Sequence, residues 1–593
     1  MIVRVPALVV ISGFLSHLQF SIMSPPQLAS GSRYLEFSND PNADAPGLVR
    51  IVMTMTCQDG TVLYEAEDPW DALLHRIIYY DDDIALKQYL SIAPWAVGSE
   101  CCNCGENPAE RSPFHSAASS GSVKALQVLL AHEKTVTIKP GMFSWRDHGF
   151  CLLHEAAGHG KIEMVQFLLD NDADIHERDY NGYTALLAAA DIYCEEGYRE
   201  PSIENSTRIM NMLLDRGASA SDIVDPSSWY MKLRNDCASD IDEPCSPDAG
   251  ISDTVLTLAV QWAGAELIRR LIRDGADVHL KLTRDPFKLG WWPGEMDDIT
   301  NVSSISIASF YLNFDAIKVL LSVGVNITDM ASVRDSTGSL PLHWATRNYQ
   351  TRSSRGFPST EDMTRVIELL LENHPQAINH QDVFGNTPLH HATRHPLRKH
   401  KHYTAVIKLL CSKGADATLR NKKKKTPLHT LLSRLATSTN VDTEAIDILI
   451  ANGASVTDVD EARNSPLHLA ARDVNHADVI CSLLQHGADA SLKNTVQDTP
   501  LHLAATSPFI HNSFYTGSSR SDTIDEREKL QDSVMAILSK AAGPTGLDML
   551  NGEGRTPREI RQEKWKIERE EEIKRQHILK YGRGGRYARG GGR

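Results

Sequence analysis

The stretch Ser465-Pro-Leu-His-Leu-Ala-Ala471, followed by Val479-Ile-Cys-Ser-Leu-Leu484 and Gly487-Ala-Asp489, decides the fold of this chain. The Ser465 hydroxyl can cap a helix, and proline is tolerated in the first turn because its missing N–H has no intrahelical partner there. Leucines and small alanines give a compact apolar face, and a second apolar stretch follows at helical spacing. The glycine stands where a chain takes a left-handed turn after a helix. The stretch therefore predicts two packed helices and a turn.

The opening motif occurs five times along the chain. Its copies are Leu340-Pro-Leu-His343, Thr387-Pro-Leu-His390, Thr426-Pro-Leu-His429, Ser465-Pro-Leu-His468 and Thr499-Pro-Leu-His502. A single helix pair cannot bury its apolar face, whereas stacked copies can. The repetition therefore predicts an all-α repeat solenoid, built from helix–turn–helix units joined by short hairpin loops.

These motifs resemble ankyrin repeats. Weaker copies, such as the one that begins at Phe150 and contains His154, extend the resemblance over residues 68–562, in about eleven units. The irregular units and long insertions look like those of ankyrin proteins common in filamentous fungi. In that family the motif histidine hydrogen-bonds the backbone of a neighbouring turn. The resemblance therefore implies a structural role, rather than metal ligation, for one histidine in each unit.

The residues expected to shape the repeats fall into three groups. The helix-opening prolines are Pro341, Pro388, Pro427, Pro466 and Pro500. The motif histidines are His154, His343, His390, His429, His468 and His502. The turn glycines are Gly414, Gly453 and Gly487.

The spacing of the motifs is longer than the family period of about 33 residues. The extra residues are expected mainly between the two helices of a unit, as in 348–362 and 507–527, and between units, at 219–253 and 281–303. Insertions at such loops leave the stack intact. They either carry binding specificity or are tolerated surface loops.

Two short patterns invite a metal-site interpretation. His154-Glu-Ala-Ala-Gly-His159 resembles a zinc-protease motif, but that chemistry needs the two histidines four residues apart on one helical face. Cys101-Cys-Asn-Cys104 has no second cysteine pair nearby, so a plain loop is favoured over a redox or metal site. The sequence therefore predicts no catalytic residue, no metal and no cofactor.

Other segments are candidate partner contacts. The basic run Lys422, Lys423, Lys424 and Lys425 is either a solvated hairpin tip, a nuclear-import signal or a site for an acidic partner. A histidine-rich basic loop, from His390 to His402, precedes it. Trp291 and Trp292 either anchor a partner or plug the core beside an insertion.

The two ends of the chain differ from the array. Residues 1–67 are expected to be mostly disordered, and Val5–Leu15 is either signal-like or the mark of a wrong start site upstream of Met23. Residues 563–593 are expected to form a charged, exposed helix and an Arg-Gly tail. Arg583, Arg586, Arg589 and Arg593 of this tail are candidate RNA contacts, since glycine keeps such tails disordered while arginine engages phosphates.

Composition limits the function. The net charge of −15 over 593 residues argues against a nucleic-acid duplex as the main ligand. No phosphate-binding loop or placed nucleophile is visible, and no stretch is long enough to span a membrane. We therefore expect a non-enzymatic scaffold that binds a protein partner. An RNA-associated regulator and a substrate adaptor of an enzyme complex are the alternatives. A cytoplasmic or nuclear location is expected, with secretion as the alternative.

Overall fold

The structure is a computed structural model. It describes residues 9–10, 21–22, 33–39, 51–57, 62–66, 71–92, 113–133, 146–147, 150–179, 182–192, 202–224, 253–284, 298–347, 359–394, 402–433, 442–507 and 524–581. The chain divides into two compact units, Met1–Thr283 and Arg284–Arg593.

The first unit begins with short strands and continues as helix pairs. Its strands are β1 (Val9–Val10), β2 (Ser21–Ile22), β3 (Arg33–Asn39), β4 (Ile51–Cys57), β5 (Val62–Ala66), β6 (Arg146–Asp147) and β7 (Phe150–Cys151), while β8 (Leu282–Arg284) lies at the boundary of the two units. Its helices are α1 (Asp71–Tyr79), α2 (Asp83–Ile92), α3 (Pro113–Ser120), α4 (Val123–Glu133), α5 (Leu152–Gly158), α6 (Ile162–Asp170), α7 (Ala185–Ala190), α8 (Ile203–Asp215), α9 (Val255–Ala259) and α10 (Ala265–Arg273).

The second unit contains the five strong motifs. After β9 (Ile299–Val302), its helices are α11 (Ser304–Phe310), α12 (Phe314–Ser322), α13 (Met330–Val333), α14 (Pro341–Arg347), α15 (Thr360–Asn373), α16 (Pro388–Arg394), α17 (His402–Ser412), α18 (Pro427–Leu432), α19 (Thr443–Ala451), α20 (Pro466–Ala471), α21 (Ala477–Gln485), α22 (Pro500–Thr506), α23 (Ile524–Ala542) and α24 (Pro557–Tyr581). Two 3₁₀ turns, Pro375–Asn379 and Gly546–Asp548, join them.

Within each unit, like helices stack on like helices. In the second unit the first helices form the series α11, α14, α16, α18, α20, α22 and α24, each in contact with the next. The second helices form a parallel series, α12, α15, α17, α19, α21 and α23. Leu467, which belongs to a first helix, is fully buried between such layers. This arrangement confirms the predicted all-α repeat solenoid.

The described part of the N-terminal segment contains a small sheet that no sequence pattern predicted. Within residues 1–67, which are expected to be mostly disordered, β3, β4 and β5 form an antiparallel sheet in that order. Phe37 and the run Ile51–Thr56 are rich in aromatic and β-branched side chains, which favour strands. The helical periodicity of the repeats carries no information about this sheet.

The C-terminal helix also differs from the expectation. The array was expected to end at residue 562, before a separate exposed helix, but α24 runs without a break across that point. Trp565 is only 4% exposed, and its indole N–H donates to Gln531 Oε1 of α23 at 2.5 Å. Arg569 of α24 also pairs with Glu528 of α23 at 2.5 Å. The first half of α24 therefore belongs to the packed array.

Candidate functional site

The motif histidines are held at both ring nitrogens. In four repeats the backbone N–H of the cap residue donates to the histidine Nδ1, at 3.2 Å for His390, 3.3 Å for His429 and 3.1 Å for both His468 and His502. The Nε2 atom lies within 2.9–3.2 Å of a carbonyl oxygen in the following hairpin. Because a backbone N–H can only donate, each ring must be neutral, with its proton on Nε2.

His343 has the same arrangement, with Leu340 N–H on Nδ1 and the His380 carbonyl beside Nε2. Burial lowers the pKa of His343 to about 3 and that of His390 to about 4. Burial also lowers the pKa of His429, His468 and His502. These rings join one repeat to the next in their neutral form.

His154 of the first unit is placed in a similar way. Its Nε2 lies 2.8 Å from the Tyr183 carbonyl and 3.0 Å from the Glu177 carbonyl. His159 instead lies with Nδ1 2.9 Å from the carbonyl of Glu155, one turn before it. Among the residues that the structure describes, no group of three or more His, Cys, Asp and Glu side chains could hold a metal ion.

The hairpin tips of the second unit share a residue that the sequence interpretation missed. An aspartate or asparagine stands five residues before each helix-opening cap position: Asp335, Asp382, Asn421, Asp460, Asn494 and Asn551. Its Oδ1 accepts backbone N–H groups of its own hairpin, as Asn421 does from Lys423 and Lys425, both at 3.0 Å. Such short polar side chains stabilise tight turns in this way. The fixed offset from the caps was the available signal.

Neighbouring tips are joined by main-chain hydrogen bonds. Val383 N–H donates to the Thr337 carbonyl at 2.8 Å, and Lys422 N–H donates to the Phe384 carbonyl at 2.9 Å. The same contact recurs at 3.0 Å from Glu461 to Lys423, from Thr495 to Ala462 and from Gly552 to Val496. We call the tips 335–340, 382–387, 421–426, 460–465, 494–499 and 551–556 the hairpin row. Its backbone is fixed, so its exposed side chains stand in a defined register.

The fourth position of each tip is left-handed. Gly385 has φ of 77°, but Lys424, Arg463 and Gln497 occupy the same position with φ of 55°, 59° and 64°. Residues with a side chain are strained in this left-handed conformation, whereas glycine adopts it freely. The turn glycines Gly414, Gly453 and Gly487, each after a second helix, have φ of 93°, 96° and 85°.

The lysine run of the tip 421–426 divides into two parts. Lys422, Lys423 and Lys424 are exposed, whereas Lys425 is half-buried and its ammonium donates to Ser433 Oγ at 2.9 Å. Burial lowers the pKa of Lys425, and the carboxylate of Asp460 opposes this shift. The charges of Lys423, Arg472 and Arg394 lower it further. Lys425 therefore lies among several cations.

Arginines at the ends of the first helices meet two different environments. Arg347 is buried, with its side chain 5% exposed, and it pairs with the buried Asp382 of the next tip at 3.3 Å. His391 lies between them: it receives Arg347 Nε–H on Nδ1 at 3.3 Å and contacts Asp382 Oδ2 through Nε2 at 2.9 Å. Burial alone would raise the pKa of Asp382, but the His391 hydrogen bond and the Arg347 charge hold it below its usual value.

Arg394 and Arg472 stand at the same position, at the ends of two other first helices. The next tips begin with Asn421 and Asn494 instead of an aspartate. Arg394 is half-buried and Arg472 is exposed. We call Arg394, Lys422, Lys423, Lys424, Lys425 and Arg472 the basic face.

A cleft of about 310 Å³ adjoins the basic face. Arg472 is part of its wall, together with Asn464, Asn494 and Asp498 of the hairpin tips and with Val496, Leu503, Thr506 and Ser507. Val496 is 59% exposed. The cleft thus offers an apolar surface beside a guanidinium group.

Several predicted contacts lie outside the described residues. These are Trp291, Trp292, Arg583, Arg586, Arg589, Arg593, the cysteines of 101–104 and the loop 395–401. None of the helices in the described part of the chain combines the length and the apolar character that a membrane crossing needs.

Comparisons with known proteins bear on the repeats. The family model "Ankyrin repeats (3 copies)" matches residues 74–179, 398–494 and 432–512. Human Transient receptor potential cation channel subfamily A member 1 is 25% identical over 390 residues, which is 65% of this chain and 28% of that protein. Protein phosphatase 1 regulatory subunit 27 is 37% identical over 84 residues in mouse and 34% identical over 96 residues in human.

The chain covers 49% of the mouse subunit and 57% of the human subunit, and these matches involve 13% and 15% of the chain. The relatives therefore extend well beyond the matched parts. Neither the family model nor these relatives indicate an enzyme family. Motif, hydrogen bonding and family model agree that residues 74–179 and 398–512 of this chain form ankyrin repeats.

Proposed function

We propose that this protein is a non-enzymatic interaction scaffold that binds a protein partner through the hairpin row of its second unit. The single observation that supports this most is the row itself. Five main-chain hydrogen bonds join its tips, from Thr337 to Gly552, and fix the register of the side chains that they present. Repeat arrays of this type offer extended binding surfaces.

The tips present side chains that suit a protein partner. Val383 is 37% exposed and Phe384 is 42% exposed, next to the exposed lysines of the following tip. Aromatic side chains contribute strongly to protein interfaces. The first helices behind the tips contribute fully buried residues such as Leu389 and Leu428, so they hold the row in place.

A photo-crosslinking amino acid at Phe384 tests this proposal in the full-length protein, expressed in its native cells. We expect a protein adduct from Phe384 that survives RNase treatment. Glu372, which is exposed on the second helix α15, is the matched control position. Equal adducts from both positions, or no adduct from Phe384, would contradict the use of the hairpin row.

The RNA-associated role remains the second proposal. It depends on the Arg-Gly tail and its four arginines, Arg583, Arg586, Arg589 and Arg593. Deleting 583–593 separates the two proposals, because only the RNA-associated role predicts loss of the ligand. Partners that disappear with RNase would favour the tail.

A regulatory or adaptor role toward an enzyme, exerted on a separate subunit, is the third proposal. The local likeness to Protein phosphatase 1 regulatory subunit 27 supports it. Purified chain titrated with the catalytic subunit of protein phosphatase 1 tests the nearest case, and absence of binding would reject it. We also propose a cytoplasmic or nuclear location, which imaging of a tagged full-length chain tests. A glycosylated, secreted product would contradict it.

A further inference from the structure

We propose that the basic face binds an acidic segment of a partner protein, and that one apolar side chain of this segment enters the adjoining cleft beside Val496 and Leu503. This inference rests on the proposed scaffold function and names the chemistry of its partner. It concerns the tips 421–426, 460–465 and 494–499 and the first helices behind them.

Charge complementarity is the first support. The chain carries a net charge of −15, yet Lys423, Arg472 and Arg394 lie close enough to Lys425 to act on its charge, and Lys422 and Lys424 belong to the same tip. Asp460, whose carboxylate acts on Lys425, is only 6% exposed and its Oδ1 accepts the Asn464 N–H at 2.8 Å. Asp460 therefore acts as a turn residue and offsets only part of the positive charge. An incoming carboxylate would relieve the mutual repulsion of these cations.

The second support is the residue that opens each tip. Asp382 opens the tip that follows Arg347 and pairs with this arginine at 3.3 Å. Asn421 and Asn494 keep the turn geometry of an aspartate without its charge. The residue that pairs with Arg347 is thus replaced by an uncharged amide in the tips that follow Arg394 and Arg472. The same turn therefore forms with aspartate or with asparagine as its first residue. Asparagine opens the tips 421–426 and 494–499 at the basic face.

The width of the basic face favours a peptide over a nucleic acid. A nucleic acid presents a regular series of phosphates and needs a track of cations along its path. Here the lysines occupy one tip, and the next tip begins with Asp460 and the exposed Glu461. A few carboxylates on a short segment match this extent.

The cleft gives the segment an orientation. It opens beside Arg472, so a carboxylate on Arg472 would bring the neighbouring side chain of the partner to Val496 and Leu503. Two polar groups of the wall are already paired, since Asn494 Nδ2–H donates to Asn464 Oδ1 at 3.0 Å and Asp498 Oδ1 accepts from Asn551 at 2.9 Å. Val496 and Leu503 supply the apolar part of the wall. Apolar anchors in pockets with charged surroundings are typical of peptide recognition.

Fluorescence anisotropy of the full-length protein tests the proposal. The probe is a fluorescein-labelled peptide that alternates pairs of glutamate with single phenylalanine. The first variant is K422E/K423E/K424E, and the second is Val496→Asp. The matched control is K318E/K408E/K540E, which makes the same change of charge at exposed lysines on second helices.

We expect saturable binding that weakens as salt is added, and a loss of roughly tenfold or more in both variants, since like charges placed in an interface are strongly unfavourable. The control should bind within about twofold of the wild type, because surface charges away from an interface contribute little. Circular dichroism of each variant verifies that the repeats remain folded.

Equal binding by the wild type and K422E/K423E/K424E would overturn the proposal. So would displacement of the peptide by polyuridylate at lower concentration than by polyglutamate, which would assign the face to RNA. The crosslink from Phe384 to a partner is measured separately. If that crosslink persists while the peptide does not bind, the scaffold function stands and only the acidic-segment inference fails.

Discussion

Arg347 and Arg472 close the first helices of two repeats after nearly the same motif, Pro-Leu-His-Trp-Ala-Thr in one and Pro-Leu-His-Leu-Ala-Ala in the other. Arg347 is buried against Asp382 and His391, whereas Arg472 is exposed at the rim of a cleft. The following hairpin begins with Asp382 in the first case and with Asn494 in the second, and Asp335 adds a further carboxylate near Arg347. Carboxylates thus accompany the buried arginine, whereas the exposed arginine has an amide at the corresponding position of its next hairpin.

The comparison shows how a regular scaffold can carry unequal sites. In both hairpins the Oδ1 atom of the first residue accepts a backbone N–H of the same turn. The Asn386 backbone N–H donates to Asp382 Oδ1 at 2.8 Å, and the Asp498 backbone N–H donates to Asn494 Oδ1 at 2.9 Å. The fold therefore tolerates either residue. What changes is the charge that reaches the neighbouring first helix, so binding chemistry can vary while the repeat geometry stays the same.

Acidification should destabilise helices α14 and α16 more than helix α20, and this is the largest effect that we expect. Helices α14 and α16 carry His343, His390 and His391, whose pKa values burial lowers, while α20 carries only His468. A histidine with a lowered folded-state pKa is protonated first in the unfolded chain. Its contribution to stability is therefore complete above the unfolded pKa of about 6.5 and is lost as the pH falls toward the folded value.

For His343 the window runs from about pH 6.5 to about pH 3, and its contribution is on the order of 5 kcal/mol. Hydrogen exchange, corrected for the intrinsic pH dependence of amides, should show that α14 and α16 lose protection at a higher pH than α20. Simultaneous loss in all three helices would argue against a stronger acid sensitivity of the first region.

Removing the carboxylate from the buried cluster should be the next largest effect. Asp382→Asn keeps the shape of the turn residue but removes the carboxylate that pairs with the buried Arg347, which then retains only the more general influence of Asp335. A loss of about 3–5 kcal/mol in the free energy of unfolding is typical of such a change. Urea denaturation monitored by circular dichroism measures it.

The reciprocal variant sharpens the test. Asn494→Asp places a carboxylate near the exposed Arg472, where an ion pair contributes about 1 kcal/mol at most. It also removes the Asn494 hydrogen bond to Asn464, so we expect little net change in stability, together with weaker binding of the glutamate peptide. Similar stability losses in both variants would mean that Arg347 owes its burial to something other than Asp382.

The five motifs predicted the first helices of both repeats, because a helix start depends on local sequence. The turn glycines Gly414, Gly453 and Gly487 were expected on the same local grounds. Whether Arg347 and Arg472 are buried could not be predicted from the motifs, since it depends on a residue in the next hairpin, after a long loop. Only the fixed offset between the Asp or Asn position and the cap could have paired them.

Two other features of the structure could not be predicted from the sequence, for related reasons. Trp565 stands alone in a highly charged segment, and its burial depends on Gln531 of α23, which no periodicity connects to it. Lys425 looked equivalent to Lys422 and its neighbours in the run of four lysines. Its contact with Ser433 Oγ, at the end of the following first helix, sets it apart from the three exposed lysines. In each case a local pattern predicted the element, and a contact distant in sequence determined the role of the side chain.

The apolar cores of the two compared repeats should respond alike. Leu342 is 1% exposed and Leu467 is fully buried, and both follow the helix-opening proline. Replacing either with alanine should cost about 2–5 kcal/mol, since each leaves a cavity between repeats. Thermal and urea unfolding of the two variants measure the costs. If the two variants lose very different amounts of unfolding free energy, the repeats also differ in their apolar packing. A loss near zero would mean that the leucines are not core residues.

The smallest expected effects concern the left-handed position of the tips, and their signs should be opposite. At Gly385 a Cβ atom would lie 2.9 Å from the Lys422 backbone nitrogen and 3.0 Å from Asn421 Cα, so Gly385→Ala should destabilise the hairpin row by at least about 1 kcal/mol. At Lys424, with φ of 55°, glycine would remove the strain of a side chain in this conformation, against a larger entropy cost on folding. We expect Lys424→Gly to change the unfolding free energy by no more than about 1 kcal/mol, in the stabilising direction.

The Lys424→Gly variant also lacks one cation of the basic face. If it is stable but binds the glutamate peptide more weakly, the role of the tip in folding is separate from its role in recognition. If it is destabilised, the Lys424 side chain supports the fold.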